Sequence, residues 1–408
     1  MKPLQNLRVL DLTRILSGPY CTMTLADMGA DVIKIESPQG DDTRAWGPPF
    51  IGSESTYFLS VNRNKKSLVL NLKTSEGKEI FLDLVKSSDV VVENFRPGTL
   101  DKLGIGYDVL KKINEKIILA SISGFGQTGP YAKRPGYDVI AQGMGGLMSV
   151  NGEPDGPPLK AGYSFADVGT GMWALIGILL ALHVRNSTAK GQWIDTSLMD
   201  TMISWQTYLA TSFFATGNNP KPMGNAHPSI CPYQTFPAKD GYFNIGVGND
   251  HQWKILCEIM DLDIADDSRF FTNEKRVINR DQLIPILEEV FRTQSYKYWV
   301  NLLDEFGIPA GPVYQLSELY ADPHILDRDM LLSVQHPTLG EIKQIGIPVK
   351  LSDTPGEVRT PPPLLGEHSY DILQDLGYSR DYINQLFEKG ISRCVNPVSE
   401  NAEREFKK

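Results

Sequence analysis

Asp167 is the residue of this sequence best placed to do chemistry. It is a lone carboxylate, and the 17 residues after it, Val168 to Val184, include no Asp, Glu, Lys or Arg. Ser164 or Asp167 can cap a helix start, while Gly169 and Gly171 let other groups approach its first turn. From Met172 to Val184 apolar residues point nearly all round, which predicts a helix buried on every side. Near the positive end of that helix dipole, a carboxylate is expected to stay ionised. An ionised, poorly hydrated carboxylate close to backbone N–H groups can attack an acyl group. The commoner use of an Asp before an apolar helix is as its cap, and the residues alone leave both roles open.

Three further clusters could supply contacts. Asn62–Ser67 carries Arg63, Lys65 and Lys66 before an expected strand at Leu68–Leu72. It reads either as a solvated turn or as a grip for a phosphate-bearing ligand. Gly124–Tyr131 is rich in turn formers and brings backbone amides close to something, yet it lacks the Lys-Ser/Thr of a nucleotide-hydrolase phosphate loop. Asn94 and Phe95 follow the buried strand Asp89–Glu93. Ligands collect at such strand ends in open α/β sheets.

The elements that must position these residues begin with a strand at Leu7–Leu12, a helix from Gly18 to about Met28, and a strand at Asp31–Glu36. This is the outline of a βαβ unit. Only Gly18 stands where a dinucleotide site would need GxGxxG, so the topology is expected without the nicotinamide cofactor. An amphipathic helix at Thr74–Ser87 and strands at Ile117–Ser123 and Gly191–Ser197 continue the pattern. The fold class expected is therefore α/β, a Rossmann-like large domain with an inserted smaller α+β domain. The divisions are 1–217 for the first part of the large domain, 218–232 for a linker, 233–325 for the small domain, and 326–408 for the return and a C-terminal arm. Pro361–His368 reads as a rigid arm, and the tail after Pro397 is expected to fray.

At 408 residues, with 41% hydrophobic and 22% charged residues, the chain has an enzyme-like composition. A net charge of −9 argues against a general nucleic-acid binder. Four cysteines lie scattered without metal-ligand spacing, as expected of reduced thiols, and no metal site is predicted. Val168–Val184 is the only membrane-span candidate. It is short of a full span and holds three glycines, so no membrane partner is expected. The strand pattern by Leu7 suggests the cytoplasm, or an organelle if the chain is a mature form.

The stretch Val9–Pro19 resembles the opening of class III CoA-transferases, also called the CaiB/BaiF type. So do Gly29–Glu36, Asn62–Ser67, Val92–Phe95, Gly126–Pro130, the Asp167 helix and Pro363–His368, in order over nearly the whole chain. Trp46–Tyr57 and His227–Tyr233 look most like the branch acting on succinyl-CoA and glutarate. The resemblance implies a homodimer of interlocked, ring-like chains, with coenzyme A or acyl-CoA as substrate and no tightly bound cofactor. It implies that Asp167 forms an aspartyl–acyl anhydride and then an aspartyl-CoA thioester. Carried over by position, CoA contacts fall on Arg14, Ile15, Leu70, Lys73, Asn94, Phe95, Lys102, Arg134, Tyr137 and Met199. Candidates for the acceptor's contacts are Arg44, Gln127 and His227.

Leu16 stands where formyl-CoA transferases have a glutamine, Pro135 replaces a lysine, and a run of glycines is missing, which argues against oxalate and formyl specificity. Two alternatives fit the sequence less well. α-Methylacyl-CoA racemases share the fold but need a His where Tyr137 stands, and Tyr is a poor base near neutral pH. A non-catalytic CoA-binding protein would have no need of Asp167 and the glycine loops.

Overall fold

The computed structural model describes residues 1–394, so the tail after Pro397 lies outside the described residues. The chain divides into two compact units. One takes Met1–Leu147, Ala161–Ala210 and the chain from His324 on; the other takes Met148–Lys160 and Thr211–Pro323. Residues 148–160 and 211–217, which the sequence pattern left with the large domain, therefore belong to the smaller unit. The polar hinge has no strand of the large sheet to join, and Gly224 N donates to Gly152 O at 2.9 Å within the smaller unit.

The large unit is built on six parallel strands: β1 (Arg8–Asp11), β2 (Asp31–Glu36), β3 (Lys65–Val69), β4 (Val90–Glu93), β5 (Ile118–Ser123) and β6 (Trp193–Ser197). Their order is β3-β2-β1-β4-β5-β6. Near-continuous Val, Ile and Leu suits strands buried on both faces. The helices that matter for the site are α1 (Ser17–Asp27), α2 (Ser75–Lys86), α3 (Asp138–Met144), α4 (Phe165–Thr188) and α5 (Leu198–Ser204). Because side chains alternate along a strand, Leu10 and Val91 pack with Ile80, Phe81 and Leu84 of α2 on one face. Val9, Val90 and Val92 pack with Leu25 of α1 and with Ala174 and Ile178 of α4 on the other. Strand order reverses between β1 and β4, and in such sheets the crevice at the carboxyl ends beside that switch point is where ligands bind.

Two expectations need correcting. Helix α4 is not buried on every side. Ala166, Thr170, Ala174, Ile178 and Ala181 form its inner stripe, while Met172, Trp173, Ile176, Leu179, Leu180 and Val184 are exposed in the single chain. It is long and apolar enough to cross a membrane, but its small-residue stripe is built into the core of the large unit.

The basic segment Asn62–Ser67 is neither a solvated turn nor an anion grip. The edge strand starts at Lys65, three residues earlier than its apolar run suggests, and Arg63 and Lys65 are buried while Lys66 stays half-exposed. Lys65 Nζ donates to Asp11 Oδ2 at 3.0 Å, Pro19 O at 3.0 Å and Asn62 Oδ1 at 2.9 Å. Arg63 grips Asp27 with Nε and Nη2, and Lys66 pairs with Asp31. Buried charges persist only when matched in this way.

The C-terminal return covers the open edge of β3. His368 N donates to Ser67 O, Ser369 Oγ accepts from Val69 N, and Ser392 Oγ donates to Val69 O. An edge strand left bare would invite pairing with another chain. The smaller unit has its own core around Phe236, Phe243, Trp253, Phe291 and Trp299. Its antiparallel sheet pairs Tyr242–Gly246 with Tyr233–Pro237 and with Ala310–Pro312.

Candidate active site

The β1–α1 loop is held by charge rather than by glycines. Asp11 Oδ1 accepts from Thr13 N at 2.9 Å, and Lys34 Nζ donates to Thr13 O at 2.8 Å and to Asp41 Oδ2 at 2.9 Å. From the β4 side, Asn94 Oδ1 accepts from Arg14 N at 2.9 Å, and Asn94 Nδ2 donates to Arg14 O at 2.7 Å. Ile15 adopts φ +70°, a region that costs a β-branched residue conformational energy. Bonds on both sides hold it there, since Ile15 N donates to Asp41 Oδ1 at 3.3 Å.

Asp167 approaches this loop from α4. Ser164, at the N-cap, makes no side-chain cap bond. Asp138 of α3 does the capping: its Oδ1 accepts from Ala166 N at 2.9 Å and Asp167 N at 3.2 Å, and its Oδ2 from Gln142 Nε2 at 2.6 Å. Asp167 is therefore not the cap, and among the described residues no donor bonds its carboxylate. Asp167 and Gly171 are four residues apart and share one helix face. A Cβ on Gly171 would meet Ser17 O at 2.4 Å, so only glycine lets α1 come this close and bring its N-terminus to Asp167.

The helix dipole expected to favour the charged form of Asp167 is outweighed. Burial, with the Asp138 charge beside it, pushes its carboxyl up to about 7. The physical reason is that Asp138 has taken the amides that would have favoured the charge and added a like charge of its own.

Asp167 lines a cavity of about 160 Å³ with Arg14, Ile15, Ser17, Asn94, Phe95, Arg134 and Tyr137. A second cavity of about 470 Å³ is lined by Arg14, Leu70, Lys73 and Phe95 among others. Arg14 and Phe95 belong to both, the guanidinium lying 5.7 Å from the ring centroid. The two spaces thus adjoin, one roomy and leading to a cation, the other small and ending on a carboxylate. Arg134 stacks over Tyr131 at 4.6 Å, and its loop is drawn in where Gly124 and Gly136 touch, a Cβ on Gly124 falling 2.8 Å from Gly136 Cα.

Five expected contacts line neither cavity. Lys102 is exposed on the short helix Thr99–Leu103, whose Thr99 and Leu103 line the larger cavity. Met199 is half-buried beside Leu198, its N–H on Gly124 O at 3.1 Å. Gln127 faces a separate cavity with Glu93 and Trp193. Arg44 is spent within the chain: it binds Glu36 through Nε and Nη2 at 2.8 Å each and covers the Phe58 ring at 3.7 Å. It offers no free fork for a substrate carboxylate, a correction to its expected role. His227 belongs to the smaller unit, where its ring packs against Tyr233.

Two residues at the site escaped the sequence pattern. Asp138 reveals its capping role only once α3 and α4 are packed. Tyr57 has its phenol pushed up to about 12 by burial, with the charges of Asp167 and Asp138 adding to the effect. In the sequence it closes the Trp46–Tyr57 stretch, and nothing there points it toward Asp167.

A Rossmann-type sheet whose switch point presents a carboxylate with no hydrogen-bond donor among the described residues, beside a second and larger cavity, suits an α/β group-transfer enzyme better than a dinucleotide oxidoreductase. The family model "CoA-transferase family III" matches residues 4–369. The chain belongs to that family and is an enzyme of its class. Among its relatives, the succinyl-CoA:glutarate CoA-transferase of Homo sapiens is 42% identical over 394 residues, covering 96% of this chain and 90% of that one. The acetyl-CoA:oxalate CoA-transferase of Acetobacter aceti is 43% identical over 360 residues, covering 87% and 91%. The crystal structure of a CAIB/BAIF family protein from Brucella suis superposes with a TM-score of 0.83 at 44% identity, covering 92% of this chain and 99% of that one.

Proposed function

We propose that the enzyme moves CoA from succinyl-CoA to a free dicarboxylate such as glutarate, with Asp167 as the nucleophile. The observation that carries this reading is the Asp167 carboxylate, which has no hydrogen-bond donor among the described residues and lies in the cavity that adjoins the larger one at Arg14 and Phe95. Asp167 Oδ attacks the thioester carbonyl carbon, the C–S bond breaks, and the acyl group stays on Asp167 as a mixed anhydride. The CoA thiolate then attacks Cγ of Asp167 and succinate leaves. The acceptor carboxylate repeats the sequence in reverse, so no net proton is exchanged. An anhydride survives only where water is kept out, which suits a small, loop-walled cavity.

CoA would lie along the larger cavity, with Leu70 and Phe95 as apolar walls and Lys73 and Lys102 toward its phosphates. Arg14 and Arg134 are the cations beside Asp167 able to meet a second carboxylate. The succinyl-CoA and glutarate assignment leans on relatives that carry those names over nearly their whole length. A relative of similar identity that uses acetyl-CoA and oxalate marks the acceptor as the finer choice. We also read the exposed apolar face of α4 as covered by a second copy in a homodimer.

Hydroxylamine trapping with succinyl-CoA, followed by peptide mass mapping, tests the chemistry. A hydroxamate is expected on Asp167, and Asp167→Ala should lose transfer by about 10⁴-fold or more. Transfer by Asp167→Ala at the wild-type rate would refute the mechanism. A panel of mono- and dicarboxylate acceptors tests the pair.

A further inference from the structure

Ser17 opens α1, and its side chain is anomalous. The residue is 3% exposed, yet among the described residues its Oγ has no hydrogen-bond partner. Buried hydroxyls are ordinarily bonded, because an unmet one keeps its desolvation cost. Ser17 also lines the 160 Å³ cavity that holds Asp167. Leu16, at the N-cap of α1, supplies no side-chain oxygen to the first-turn amides.

A carbonyl under attack by Asp167 develops negative charge on its oxygen and needs donors. The α4 amides nearest Asp167, those of Ala166 and Asp167 itself, are occupied by Asp138. Arg14 and Arg134 line the same cavity, but the element packed directly on α4 is α1, pressed against it at the Gly171–Ser17 contact. We infer that the Ser17 hydroxyl donates a hydrogen bond to the carbonyl oxygen of the acyl group entering and leaving Asp167. The inference rests on Asp167 being the nucleophile and adds a substrate-contacting side chain to that reaction.

The test compares Ser17→Ala and Ser17→Thr with wild type in kcat/KM for succinyl-CoA, in CoA affinity and in Tm. Ser17→Ala should lower kcat/KM by about 10- to 100-fold. Its CoA affinity should stay within about twofold, because the hydroxyl acts on the acyl carbonyl and not on CoA. Its Tm should hold or rise, since an unbonded buried hydroxyl is removed. Ser17→Thr, which keeps the hydroxyl, should retain more of the rate than Ser17→Ala. A kcat/KM for Ser17→Ala within about twofold of wild type overturns the inference. So does a loss of rate matched by a loss of Tm or of CoA affinity. Trapping on the wild-type enzyme separates the two ideas. No adduct on Asp167 sinks the nucleophile itself, whereas an adduct together with an indifferent Ser17→Ala sinks only the role of the hydroxyl.

Discussion

Asp11 and Asp167 both flank the β1–α1 loop of the large unit, and their surroundings differ in kind. Asp11 is fully buried and matched on every side: Thr13 N and Oγ1 on one oxygen, Thr22 Oγ1 and Lys65 Nζ on the other. Burial pushes its carboxyl up, but Lys65, Lys34 and the two hydroxyls outweigh that and hold it below its ordinary value. Asp167 has burial and the Asp138 charge acting in the same direction and, among the described residues, no donor to oppose them. A matched acid is a rivet. An unmatched one is held in a state it would give up readily, which is what a nucleophile requires.

The largest effect expected from this contrast is on Asp11→Ala. It strands the Lys65 ammonium in the core and frees Thr13 and Thr22, so unfolding free energy should fall by about 3–5 kcal/mol. Urea denaturation measures it. A loss below about 1 kcal/mol, the worth of an exposed ion pair, would show that water reaches the network and that the contrast is overstated.

Asp167→Asn should act the other way. The wild-type carboxyl titrates near 7 when folded against an ordinary value of 3.8. Between those limits the folded protein holds a proton that the unfolded chain has lost, so stability from this group falls as pH rises through the window and the full cost remains above about 7. The Asn variant has no such cost. It should be more stable than wild type by about 1–3 kcal/mol at pH 8, a range reduced for the open side of the cavity, and by less at pH 5. Equal gains at the two pH values would mean that packing, not charge, sets the difference.

How much of this was legible beforehand follows from what each signal measures. The apolar runs of β2, β4 and β5 and the Gly-Pro opening of α1 are local, and the α/β order could be read from them directly. Asp167 stood out because no other charge lies nearby in sequence. Lys65 and Arg63 misled because a cation's partner is set by tertiary packing: a basic segment looks like surface until Asp11 of β1 and Asp27 of α1 are brought against it. The exposed stripe of α4 left no mark in the sequence because hydropathy records what a side chain avoids and is silent on which face of the helix packs into the core. Asp138 as a cap for a distant helix left no trace in local spacing.

The smallest effect bears most directly on the contrast, because it alters Asp167 without touching it. Asp138→Asn keeps an oxygen to accept from Ala166 N and Asp167 N, while its new amide meets Gln142 Nε2 donor to donor, forfeiting one bond at about 1 kcal/mol. What it chiefly removes is the like charge beside Asp167. The acid limb of kcat/KM reports the group that must be ionised in the free enzyme. In wild type that limb should fall as pH drops through about 7. In Asp138→Asn it should move to lower pH by about half a unit to one unit, because the ionised Asp167 no longer opposes a neighbouring carboxylate. Burial, the larger cause, remains and keeps the limb above the ordinary carboxylate range. A limb that stays in place would assign the whole shift to burial and leave Asp138 as a cap alone. A limb that falls all the way to about 4 would reverse the ranking of the two causes.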